Sequence, residues 1–159
     1  MLEQVGKWLL TAVAGLLLCA MTVLTVVDVV GRKYFTAPVP GAFEATEVML
    51  ALAIFAGLPI VTARSEHISV RLFVDLLPPV VQRILSFVCD LLVAFLLGFG
   101  AYLLYGRGET LAQFGDATIL LGIPLAPVAF ALAALSALAA LVAFFKLFRR
   151  SRPAEGEDR

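Results

Sequence analysis

Four long apolar runs occupy most of this 159-residue chain, and they restrict it to one environment. A backbone in hydrocarbon must satisfy its own N–H and C=O groups, which leaves helices or closed barrels as the spanning forms. Alternating barrel patterning is absent, and each run approaches or exceeds the roughly 20 residues a helix needs to cross ~30 Å of lipid interior. With 62% hydrophobic residues, 15% charged residues and a mean hydropathy of +1.01, the chain lacks the polar surface to cover itself in water. The fold class expected is an all-α integral membrane protein with four transmembrane helices, at about 8–30, 48–63, 80–105 and 119–148.

The connections follow from local chemistry. Thr36-Ala-Pro-Val-Pro-Gly-Ala42 breaks the first helix, because proline lacks an amide hydrogen and restricts the residue before it. Residues 43–47 then resume helix, predicted as a short interfacial piece between the first and second spans. The second span is the shortest and is marginal for a crossing unless residues 42–47 contribute to it. Residues 64–75 read as a polar loop with an amphipathic stretch on the membrane surface, from Ile68, Val70, Leu72, Phe73 and Leu76. Pro78-Pro79 opens the third span, the glycine-bearing stretch from Gly106 to Thr118 reads as a loop, and Pro124 and Pro127 fall in the first turns of the fourth span. Residues 1–148 form the membrane domain, and 149–159 a charged tail. Trp8, the Tyr34-Phe35 pair, Tyr102 and Tyr105 stand at span ends, as interfacial aromatics do.

Residue types exclude several functions. Lys plus Arg and Asp plus Glu both number 12, so no basic nucleic-acid footprint exists. Cys19 and Cys89 lie in apolar runs and read as small lipid-buried side chains. Leu16-Leu-Leu-Cys-Ala20 is not a lipoprotein box, which needs a small residue where Leu18 stands. The run also continues to Val30, so the first helix is expected to be retained. No nucleophile–base pair, phosphate loop or cofactor motif appears, so neither catalysis nor a cofactor is expected of this chain.

Charge fixes an expected orientation. With four spans, one side holds Lys7, Arg64, Arg71, Arg83, Lys146, Arg149, Arg150, Arg152 and Arg159, and the other only Arg32, Lys33 and Arg107. The positive-inside rule then puts both termini in the cytoplasm. The polar patch at 28–47 faces outward, and His67 faces inward.

The remaining polar residues are candidate structural or partner-interface positions. Asp28 and Arg32 are one helical turn apart and suit an intrahelical ion pair. Glu44 and Glu47 share a face by i,i+3 spacing, which fits anchoring or pairing with a partner better than a cation site. Asp90 is the one acid well inside a span, ~10 Å along the helix from Arg83, and a charge at that depth calls for a partner. Ser86, one turn earlier, is a candidate for that role. His67 has no further His or Cys beside it and reads as a loop hydrogen-bonding group rather than a metal ligand. In the fourth span, Ala129, Ala133 and Ala137, and again Ser136 and Ala140, form rows of small residues that permit close helix approach.

The order Asp28-x-x-Gly31-Arg32-x-Tyr34, then Pro40-Gly41-x-x-Glu44 with Glu47, then His67-Ile68-x-Val70 and Asp75, resembles the small membrane subunit of TRAP transporters, the DctQ type. The family often carries an acid soon after His-Ile-x-Val; here Arg71 intervenes before Asp75. The resemblance implies a bacterial inner-membrane complex with a large, roughly twelve-helix subunit, which holds the substrate and sodium sites. It also implies a periplasmic protein that delivers an organic acid, and it makes the small subunit part of the static scaffold and of the periplasmic docking surface; Glu44 and Arg107, on the outward-facing side, are the charges expected to take part in docking. Two other architectures fit four helices. A proton-coupled exporter needs an acid near the middle of the first span, and none lies between Trp8 and Val27. The small subunit of tripartite tricarboxylate transporters should lack the His67 pattern.

Overall fold

The computed structural model describes residues 2–64 and 78–150, and these form four helices in chain order: α1 (Leu2–Phe35), α2 (Ala42–Arg64), α3 (Pro79–Phe114) and α4 (Leu125–Arg150). Each contains a stretch long and apolar enough to cross a membrane: Trp8–Phe35, Ala42–Ala63, Ile84–Phe114 and Leu125–Lys146. His67, Asp75 and the expected amphipathic stretch at 64–75 lie outside the described residues, apart from Arg64 at the end of α2, as does the tail from 151 onward.

The helices pack as a row rather than a closed bundle. α1 lies against α2, α2 against α4, and α4 against α3. Helix periodicity selects the faces that meet. On α1 every residue from Val23 to Val30 is exposed except Leu24 and Asp28, and the half-buried positions continue as Leu10, Ala14, Leu17, Met21, Leu24, Asp28 and Gly31. That alternating four-and-three spacing is the seam a helix presents to a single neighbour. α3 carries an equivalent seam through Ser86, Asp90, Val93, Leu97, Leu104, Gly108 and Leu111. Cys19 and Cys89 fall off both seams and are exposed.

α4 is one of the two inner helices of the row, with neighbours on both sides, and its buried positions are small: Ala129, Ala133, Ser136, Ala139 and Ala143. The anticipated row through Ala129, Ala133 and Ala137 departs from this seam at its last member, because Ala137 is exposed. Each four-residue step overshoots a full turn by ~40°, so a strict i+4 row drifts off the contact and the seam returns by a three-residue step to Ser136. Ser136 Oγ–H donates to the Leu97 carbonyl of α3 at 2.9 Å, which satisfies a hydroxyl that is 2% exposed.

Two expectations from the sequence are corrected. No separate interfacial helix stands between α1 and α2. The chain turns at Thr36, φ +50°, and at Gly41, φ +74°, and α2 runs unbroken from Ala42. The Ala45 N–H bonds the Gly41 carbonyl at 3.0 Å, so residues 42–47 are the opening turns of the spanning helix itself. This gives the short second span its missing length.

The second correction concerns residues 106–114, which continue α3 instead of forming a loop. Gly106 and Gly108 resemble turn residues in sequence, but Gly108 is a packing position. A Cβ there would come within 2.8 Å of the Phe130 ring of α4. α3 ends where Gly115 adopts φ +67° and the Asp116 N–H returns to the Leu111 carbonyl at 3.1 Å, a Schellman closure. Residues 119–124 therefore belong to the α3–α4 hairpin, and α4 begins at Leu125.

Overpacking tests the central seam. Ala139 is 0% exposed. Ala139→Leu is expected to lower stability by about 1–3 kcal/mol in detergent unfolding, while Ala134→Leu, on the exposed side of the same helix, leaves it unchanged.

Candidate functional site

The polar side chains gather at two levels, the first being the end where α1 meets α2 and α3 meets α4. Asp28 is on the α1 seam about two turns before the chain reverses at Thr36. Its Oδ2 accepts from Arg32 Nε at 2.8 Å, with Arg32 Nη2 also at 2.8 Å, which is the intrahelical pair expected from the spacing. Its Oδ1 does something the spacing did not reveal: it accepts the Val39 N–H at 2.9 Å. Pro38 and Pro40 have no amide hydrogen, so Val39 carries the one N–H of that tripeptide, and Asp28 takes it.

The rest of the Asp-x-x-Gly-Arg motif serves the same reversal. Ala37 donates its N–H to the Gly31 carbonyl at 3.2 Å. A Cβ on Gly31 would stand 2.7 Å from the Ala37 carbonyl oxygen, so a larger residue would push the returning strand away. Thr36 supplies the left-handed turn at φ +50°, a strained conformation for a β-branched residue.

Glu44 performs the second tie. In the first turn of α2, its Oε1 and Oε2 share the Leu120 N–H at 3.0 and 3.2 Å, and Oε2 accepts the Leu121 N–H at 3.0 Å. One carboxylate thus joins the start of α2 to a hairpin 76 residues away. Gly41 lets the Leu121 side chain lie directly on the backbone, in the space a Cβ would fill. The hairpin is shaped by Thr118: its N–H donates to Ile123 O and its O accepts from Gly122, both at 3.0 Å, while its Oγ1 accepts from the Ile123 N–H at 3.0 Å. Ala117 and Pro124 pair as an antiparallel bridge, and the tip projects Ile119, 96% exposed. Glu47 is exposed one turn further along α2, so the pair with Glu44 does not converge on a common ligand.

The second level is nearer the other helix ends. Asp90 on the α3 seam faces Lys146 of α4, with Nζ 3.5 Å from Oδ1 and side chains 16% and 22% exposed. This lysine, on the facing helix, is one partner of the buried carboxylate. From sequence alone Lys146 counted only toward orientation; the missing signal was that both residues sit on seams of helices that pack antiparallel. Arg107 is exposed on α3, and among the described residues no carboxylate pairs with it.

These arrangements join backbone to side chain and helix to helix. Among the described residues no group of three or more His, Cys, Asp or Glu is placed to hold a metal. Compared with protein-family models, residues 21–152 match the DctQ component of the tripartite ATP-independent periplasmic transporters. A search of curated proteins finds no match to the chain.

Hydrogen exchange checks the Glu44 tie. Glu44→Ala is expected to speed exchange at the Leu120 and Leu121 amides, while the Gly122 amide, bonded within the hairpin, stays protected. The Asp90–Lys146 contact is tested by a double-mutant cycle with Asp90→Asn and Lys146→Met, with an expected coupling of roughly 0.5–3 kcal/mol in unfolding.

Proposed function

Because the chain belongs to the DctQ component family of the tripartite ATP-independent periplasmic transporters, we propose that it is the small scaffold subunit of a sodium-coupled importer of an organic acid, of carboxylate or sialic-acid type. In this reading the large membrane subunit carries the substrate and sodium sites, and a periplasmic binding protein delivers the cargo. The small subunit sits in the bacterial inner membrane with both termini cytoplasmic, as the basic residues favour. The α1–α2 and α3–α4 turns then face the periplasm.

The observation that carries the proposal is where the charges go. Asp28 and Glu44 tie down backbone at chain reversals, and Asp90 meets Lys146 across a helix contact. A transporting subunit needs polar groups it can lend to a substrate or coupling ion midway through the membrane. Here the acids on the helix seams are committed to the fold. The row packing supports the same reading, since it leaves the flanks of α1 and α3 broad, apolar and available to a larger membrane partner.

Affinity purification from native membranes tests this. A tagged chain should bring down a much larger membrane protein at one-to-one stoichiometry. A chain that purifies alone and moves substrate in liposomes would refute the scaffold assignment.

A further inference from the structure

A groove of 490 Å³ opens between α2 and α3, with Ser136 of α4 in its floor. Phe55 and Leu58 form the α2 wall. The α3 wall is the stripe Leu96, Gly100, Leu103 and Arg107, which follows helical spacing on the side of α3 next to its α4 seam. Gly100 deepens the groove because it has no side chain. The one polar atom of the floor is already sealed, since Ser136 Oγ–H is donated to Leu97. The interior is therefore apolar along its length, and the polarity is concentrated at one end in Arg107.

We propose that this groove seats one acyl chain of an anionic phospholipid, with the headgroup phosphate on Arg107. Three observations select that occupant. Leu96 and Arg107 are ~16 Å apart along α3, about one leaflet of a ~30 Å hydrocarbon core, whereas a crossing partner helix would need the full depth. Tyr102 and Tyr105 are exposed within the two turns around Arg107, which marks that level as the membrane–water interface. Arg107 itself has no carboxylate partner among the described residues, so its charge is free to meet a phosphate, which guanidinium binds through two parallel hydrogen bonds.

Native mass spectrometry of the full chain, released from nanodiscs of phosphatidylcholine and phosphatidylglycerol in equal parts, tests the site. One phosphatidylglycerol per chain should be retained. Arg107→Gln should reduce retention roughly fivefold, the weight one cation carries at an anionic lipid surface. Gly100→Leu should also displace the lipid while leaving Arg107 in place; a Cβ at 100 meets Ser136 Oγ at 3.8 Å, an ordinary contact, so the first atom of the new side chain fits against α4. Glu109→Gln, a neighbouring exposed charge, should leave retention unchanged. Retention of the two lipids in the proportions of the disc would overturn the proposal, as would parental retention in both Arg107→Gln and Gly100→Leu. Loss of a co-purifying membrane protein from Gly100→Leu with lipid content unaltered would make the groove a helix seat instead.

Discussion

Close approach of α4 to its two neighbours is the constraint on which the remaining structure depends. Lipid is as apolar as leucine, so burying leucine between helices gains little in a membrane, and contact must come from packing density and hydrogen bonds. α4 meets this with alanines and one serine at its buried positions, and α3 answers with Gly108 beneath Phe130. The large side chains point outward, the inverse of a water-soluble core. Once α4 is held between α2 and α3, the ion pair of Asp90 with Lys146 and the Ser136 bond to Leu97 fall into register on the same seam.

Carboxylates finish what packing begins. A chain reversal at a helix end leaves amide hydrogens that no helix can accept, and at the edge of a membrane water reaches them poorly. Asp28 takes the amide at the α1–α2 turn, and Glu44 takes two at the α3–α4 hairpin. Both acids look like binding groups when read one residue at a time. Their partners show them to be replacements for missing backbone acceptors.

Helix number and the Asp28–Arg32 pair were legible in the sequence because each is a local, periodic signal, whereas Tyr102 and Tyr105 were expected to end a helix that runs on to Phe114. The errors arose where a residue type carries two meanings. Glycine at 106 and 108 punctuates a loop or permits a close helix contact, and only the position of Phe130 decides between them. Residues 43–47 carry two glutamates and so suggest an interface, yet Glu44 is polar because a hairpin 76 residues away needs an acceptor. Lys146 as partner of Asp90 was equally hidden, since it requires knowing which seams face each other. Heptad spacing through Leu24, Asp28 and Gly31 was present in the sequence, and it places Asp28 on the contact side of α1.

The row also bears on how the chain is made. Its main contacts among the described residues are α1 with α2 and α3 with α4, which are consecutive in sequence, and α2 with α4. Each hairpin closes over its own seam, and only the Leu120 and Leu121 amides of the second wait for an acceptor from the first. Biogenesis then reduces to inserting two helical hairpins and sliding one against the other. The Glu44 carboxylate, which bonds the second hairpin from the start of α2, fastens them at the depth where the seams match.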